Sequence, residues 1–405
     1  MSAADRAVVT AIVFMYVAIP LYGTFAVFDP LRAPIPILVP GPIAIAIGVA
    51  MLVAAATCVW GAVRRPVPRR IVIAQLLGGA ATSLAALLGF DPGTGIKLGI
   101  IVLAMGAVGI AVYGYSALPG VTRAIVVGTL VSGTLAALAA LLMLVTRTPA
   151  VVYAYNNGRA VGIFLNPNEL AAYLLVVLGL ATGVVLAARG PLRALGAVTL
   201  IVGLLAFGAT YSRWGFAAAA CGALCYAVAA GGRRTWAGLG IVIVAALLLL
   251  AGPAQALHHN PVDDTARLPA WSSGLRTWLS FPATGIGPLA FRRTYDVVRP
   301  PDAPDGNAPV AFDPHSLPLA YLGEAGLLGF AALIAAWVLY AREIPRVLRG
   351  AARRRVVLTC AFGAGLVALN IHVLVNTISI YFPLATEGLA LTLALAQRDL
   401  DATAA

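Results

Sequence analysis

The chain has 405 residues, of which 61% are apolar and only 10% charged, with a formal net charge of +12. A soluble domain carries roughly 25% charged residues, so this composition excludes an ordinary soluble globular protein and makes lipid the solvent of most of the surface. The positive charge does not point to nucleic acid. The arginines sit in short clusters between apolar runs, the pattern that keeps loops in the cytoplasm.

Apolar runs long enough to cross a bilayer, which takes about 20 residues, fall at 7–28, 37–60, 71–90, 98–118, 124–144, 170–188, 194–211, 215–230, 236–251, 319–340, 356–375 and 381–396. The first is too long for a signal-peptide core and lacks a clear cleavage site, so it is expected to be retained. The fold class is therefore all-α: a polytopic integral membrane protein of about 12 transmembrane helices. Residues 1–405 are expected to form a single membrane domain. The four cysteines (Cys58, Cys221, Cys225 and Cys360) lie inside apolar runs, and none has a zinc-like context.

Arginines orient the spans. The connections Arg64 to Arg70, Arg189 to Arg193, Arg233-Arg234 and Arg342 to Arg355 alternate with arginine-poor ones. Placing them in the cytoplasm puts both termini inside. Two segments, 146–168 and 253–318, then lie outside. The second is a large extracytoplasmic loop between spans nine and ten, and loops this long are functional or disordered. Leu268, Trp271, Leu275, Trp278 and Leu279 recur on one face at helical spacing. This part is expected to be an ordered helix packed on the membrane face. The 300–309 stretch reads as a mobile strap. No internal repeat suggests two transporter halves, and there is no Walker, HExxH or CxxC motif.

Five constellations carry chemistry or its structural alternative. Asn166-Pro167-Asn168-Glu169 opens the sixth span and reads as a helix start: Asn166 caps and Pro167 takes the first position. The same helix start could face an anionic substrate. Ser212-Arg213 lies in the external turn between spans seven and eight. Arg213 either snorkels to lipid phosphates or serves as a bidentate diphosphate ligand. In the large loop, Arg267, Arg276, Arg292 and Arg293 are interleaved with Trp271, Trp278 and Phe291, and Gly285 and Gly287 permit a tight turn with backbone close to a ligand. His315 lies just outside the tenth span, where an imidazole can act as general base. Glu324, deeper in that span, needs a partner. Asn370, His372 and Asn376 in the eleventh span read as interhelical hydrogen-bonding residues. Neither His258-His259 nor the aspartates have metal-ligand spacing.

In this order the motifs resemble the O-antigen ligase and O-antigen polymerase superfamily of bacterial membrane glycosyltransferases. The matches are Asn166-Pro167-Asn168 before a span, Ser212-Arg213 between spans, Arg267…Trp271…Pro282…Gly285-Ile286-Gly287 in the loop, and His315 followed by Glu324-Ala325-Gly326-Leu327-Leu328-Gly329. They cover about 160–330. One departure is Ser316, where the family has asparagine after the histidine.

The resemblance implies a multi-pass protein of the bacterial cytoplasmic membrane with its active site facing outside. It implies a metal-independent, inverting transfer with no cofactor. The donor is a polyprenyl-diphosphate-linked glycan, and the acceptor is a hydroxyl of a lipid or cell-wall glycan. Arg213 and Arg267, with Arg292 or Arg293, hold the diphosphate. His315 is the base, and Asn166, Asn168 and Glu324 join the substrate-binding set. Ligation is the leading expectation, and polymerisation of carrier-linked repeat units is its close alternative. A transporter or flippase needs polar groups strung through the membrane interior, whereas these cluster at its external side. A non-catalytic assembly partner is a further alternative, but both His315 and Arg213 are present. Membrane lipids are expected partners and nucleic acid is not.

Overall fold

A computed structural model describes residues 1–22, 41–164, 166–251, 258, 261–299, 301, 314–376, 381–397 and 400, except for the side chains of 22, 41–45, 234, 250–251, 261–266 and 292–293. Among the described residues the chain is all-helical, with no strand. The helices are α1 (Ala3–Tyr22), α2 (Gly41–Ala62), α3 (Arg69–Leu88), α4 (Pro92–Tyr115), α5 (Val121–Thr146), α6 (Ala150–Tyr155), α7 (Pro167–Ala187) and α8 (Gly190–Ala209). They continue as α9 (Arg213–Ala230), α10 (Arg233–Ala251), α11 (Pro261–Ser280), α12 (Phe291–Val298), α13 (Leu317–Leu348), α14 (Arg353–His372) and α15 (Tyr381–Gln397).

Nine of the described helices are long and apolar enough to cross a membrane: α1, α3, α4, α5, α7, α8, α9, α13 and α14. The other three expected spans fall on α2, α10 and α15. The first two have shorter described apolar parts, Ala46–Ala62 and Thr235–Leu249, and α15 has 17 residues. Two boundaries differ from expectation for local reasons. Helix α4 starts six residues early because Asp91 accepts from the Thr94 N–H and Pro92 takes the first turn. Helix α13 runs on past the apolar stretch because Glu343 and Arg346 are held in ion pairs at its end.

Helix α7 is the centre of the bundle and packs on α14. Gly179 and Gly365 face each other, and a Cβ on Gly179 would stand 2.8 Å from the Ala361 carbonyl oxygen. Small residues allow this approach, which gives helices in lipid their packing energy.

Helix direction sorts the polar residues to two ends. At one end Asp5 pairs with Arg65 at 3.0 Å, and Glu343 pairs with Arg70 at 2.6 Å and with Arg346 at 3.5 Å. Arg355 Nη1 donates to the carbonyls of Ala396 and Gln397, which satisfies the last turn of α15. The Arg189 and Arg233 turns close the same end. The opposite end holds the starts of α7, α9 and α13 and the end of α14. The 300–309 strap, apart from Pro301, lies outside the described residues.

Candidate functional site

The site is built from three helix starts and one helix end. Asn166 caps α7 as expected, its Oδ1 accepting from the Asn168 N–H at 2.8 Å. Ser212 caps α9, its Oγ accepting from the Gly215 N–H. The two starts are joined directly: Ser212 Oγ donates to Asn168 Oδ1 at 2.9 Å. Arg213 is the first residue of α9 and is half-buried.

The end of α14 ties this pair to α13. His372 is fully buried, and its Nε2 lies 3.2 Å from the Asn168 carbonyl oxygen. One residue on, the Val373 carbonyl accepts from the Leu317 N–H at 2.9 Å, at the first residue of α13. His315 immediately precedes Ser316, the α13 cap residue. Its carbonyl accepts from Trp271 Nε1 of α11 at 3.4 Å. Arg267, one turn before Trp271, lies close enough for its charge to act on His372, and its Nη1 is buried.

Five expected residues are thereby gathered: Asn166, Asn168, Arg213, Arg267 and His315. The expected interhelical role of the eleventh-span polar residues also appears, in His372 and in Asn370, which accepts from the Tyr381 hydroxyl. The three helix starts turn their positive dipole ends to this region. Two residues of the site have left-handed backbones without being glycine: His315 at φ 48° and Tyr211 at φ 48°, just before Ser212-Arg213. Such conformations cost about 1–3 kcal/mol and persist where surroundings enforce them, commonly at functional sites.

Glu324 meets a fourth helix start. Its carboxylate accepts from the Phe291 N–H at 3.3 Å, the first residue of α12. It therefore caps the helix that carries Arg292 and Arg293, whose side chains lie outside the described residues.

Gly285 and Gly287 make the tight turn expected of them, at φ 69° and 100°. The backbone that Gly285 approaches is that of α13, however: a Cβ on Gly285 would overlap the Glu324 carbonyl group. Helix α13 breaks at Gly326, φ 64°. Two carbonyls and two N–H groups around the break pair with the turn. Ile286 and Gly287 donate to the Gly323 and Glu324 carbonyls at 3.0 and 2.9 Å. Leu327 and Leu328 donate to the Pro282 and Ala283 carbonyls at 2.9 and 3.2 Å. Backbone groups at membrane depth need such partners. The Phe90 N–H donates to the Ile286 carbonyl at 2.8 Å and pins the turn to the α3–α4 connection.

A prediction follows from this interlock. A Cβ on Gly326 would overlap the Ala283 carbonyl in a left-handed backbone, so Gly326→Ala is expected to cost at least about 2 kcal/mol. Gly240 of α10 has open space around it, and Gly240→Ala is expected to gain up to about 1 kcal/mol. Thermal unfolding of the purified variants in one detergent checks both signs. Equal midpoints would show that the interlock contributes nothing.

Arg159 joins the site without having been expected. Its Nε donates to the Thr210 carbonyl at 2.7 Å and its Nη2 lies 3.5 Å from Asn168 Oδ1. The Asn156-Asn157-Gly158-Arg159 turn signal in the 146–168 segment marks it. His258 stacks on Tyr211 with ring centroids 4.3 Å apart, and its Nδ1 lies 2.6 Å from the Asn157 carbonyl. Among the described residues no three His, Cys, Asp or Glu side chains converge as metal ligands.

Compared with known families, residues 174–334 match the family model described as O-Antigen ligase. The match begins inside α7, ends inside α13, and contains Arg213, Arg267, His315 and Glu324. Asn166, Asn168 and His372 lie outside it. No curated protein matches the chain.

Proposed function

Since the chain carries the O-antigen ligase domain of the ligase and polymerase superfamily over residues 174–334, we propose that it moves a glycan from a polyprenyl diphosphate carrier to an acceptor hydroxyl on the outer face of the cytoplasmic membrane. At family level it is a membrane glycosyltransferase of the ligase or polymerase kind. The finer reading rests on one observation: Arg213, Arg267 and His315 gather where α7, α9 and α13 begin. Positive charge and helix dipoles there suit a diphosphate, and the end of the bundle suits a donor whose tail lies in lipid.

In this mechanism the guanidinium groups of Arg213 and Arg267 bind the diphosphate oxygens and hold the anomeric carbon in line with the acceptor. His315 takes the proton as the acceptor oxygen attacks. The glycosidic C–O bond breaks and polyprenyl diphosphate leaves with the bonding pair, its added charge stabilised by the two arginines. The configuration inverts in a single displacement. Asn168 and Arg159 position Arg213 through the Ser212 and Thr210 bonds. Glu324 positions α12, with Arg292 and Arg293, by capping it. No metal or cofactor enters. The arginine-rich end faces the cytoplasm, where positive loops are retained, which turns the site outward.

Deleting the protein from its host and extracting the lipids tests this. The expected result is a carrier-linked glycan that accumulates while a surface glycan is lost. Finished polymer on the carrier identifies a ligase, and single repeat units on the carrier identify a polymerase. Unchanged carrier-linked pools would contradict the proposal.

A further inference from the structure

The leucines of the stripe expected on α11 do not pack on the protein, whereas its tryptophans are half-buried. Leu268, Leu275 and Leu279 fall within an arc of about 40° and are exposed, Leu279 at 62%. The opposite face is made of small residues. Ala270, Ser273, Gly274 and Thr277 are buried. A Cβ on Gly274 would meet Pro314 and Leu319, and Thr277 lies against Gly323. Trp271 and Trp278 border the stripe on one side and Arg276 on the other. Phe281, also exposed, follows the helix and meets Phe90 edge to face at 5.3 Å.

Helix α13 supplies a depth scale. Its arginine-rich end is fixed by the Arg70–Glu343–Arg346 ion pairs, which mark one membrane boundary. Leu327, bonded to Pro282, lies about 24 Å along α13 from Glu343 at a rise of ~1.5 Å per residue. That is inside a hydrocarbon layer about 30 Å thick. Gly323, against Thr277, lies beyond the Gly326 break on the outer side of Leu327, nearer the layer's edge. Helix α11 runs beside this part of α13, so its C-terminal end descends towards the acyl chains.

The surrounding surface is continuous with it. Leu327 and Leu328 of α13, and Leu87, Leu88 and Phe90 around the end of α3, are all exposed. They belong to or adjoin membrane-spanning helices, and the α11 stripe extends their apolar surface without a break at Phe281 and Pro282.

We infer that α11 is seated in the bilayer leaflet on the site's side, with Phe281 and Leu279 at the acyl chains, Leu275 among the headgroups and Leu268 above them. The partner of this face is the lipid surface. The exposed Arg276 on the border of the stripe suits the headgroup level. The helix that carries Arg267, and whose Trp271 holds the His315 carbonyl, is thereby set at a fixed height over the membrane. This inference stands independently of the transfer reaction.

The test uses the full chain in phosphatidylcholine–phosphatidylglycerol vesicles containing doxyl-labelled lipids. Single cysteines at Leu268, Leu275, Leu279, Leu328 and Ser2, with the four native cysteines replaced by alanine, carry an environment-sensitive fluorophore. Lipid quenching and blue shift should rise in the order 268, 275, 279. Leu328 should be quenched like a spanning residue, and Ser2 should behave as in water. A photoreactive amino acid at the same positions of the otherwise unaltered chain reads the same order as crosslinks to lipid, so loss of folding in the cysteine-free background does not remove the test. Quenching or crosslinking at 279 no greater than at 268 overturns the inference.

Discussion

His315→Ala is expected to lower glycan transfer by about 10²–10⁴-fold, the usual contribution of a positioned acid–base group, while the protein inserts and binds donor normally. The backbone supports this assignment. His315 is held left-handed between Pro314 and the α13 cap residue, with its carbonyl bonded by Trp271. Its main-chain position is thus set by two elements, α11 and α13. The comparison variant is His372→Ala. That ring is fully buried with its Nε2 at the Asn168 carbonyl, so its loss is expected to cost about 1–3 kcal/mol of stability. Transfer and donor binding should be measured at matched membrane abundance. Near-normal transfer by His315→Ala, with loss in a well-expressed His372→Ala, would place the base inside the bundle instead.

The second large effect is expected at Arg213. A charge-assisted contact contributes about 1.5–3 kcal/mol, so Arg213→Ala should reduce transfer about ten- to a hundredfold. Arg213→Lys should recover little of this, because an ammonium does not reproduce the planar two-pronged geometry that matches phosphate oxygens. Position supports the expectation: Arg213 opens α9 directly after Ser212, which is bonded to Asn168. Full turnover by Arg213→Ala at normal protein level would reduce Arg213 to a residue that snorkels to lipid headgroups.

What the sequence made legible is what depends on near neighbours in the chain. Hydrophobic run length is local, so a many-span membrane protein is readable, and nine of the expected spans are helices long and apolar enough to cross a membrane among the described residues. The Asn166-Pro167 start was readable because a cap needs only the next few residues, and the arginine clusters sorted the two ends. What was hidden depends on distant partners. Gly285 signalled a close approach, but nothing within a few residues of it shows that α13 is the partner, some forty residues on. The α11 spacing showed an amphipathic helix on the membrane face, and the fold adds that its small residues, Ala270, Ser273, Gly274 and Thr277, are the ones packed on the protein. Periodicity marks a face without saying whether protein or lipid covers it. Glu324 reads from the sequence as a carboxylate in need of a partner, and the Phe291 N–H at the start of α12 is brought to it only by the fold. Arg159 stood in a turn without a motif, and its role appears only once Thr210 and Asn168 lie beside it.

The central claim is that this cluster of residues transfers a glycan from a polyprenyl diphosphate. The most direct measurement follows both products when purified protein in lipid vesicles meets a polyprenyl-diphosphate-linked glycan and a lipid acceptor, with EDTA present. The account predicts glycosylated acceptor and free polyprenyl diphosphate in equal amounts, unaffected by the chelator and lost in His315→Ala. Turnover abolished by EDTA and restored by magnesium or manganese would contradict it and direct attention to Asp263, Asp264 and Asp313 as ligands. Donor left intact by a folded, donor-binding wild-type protein would contradict it altogether.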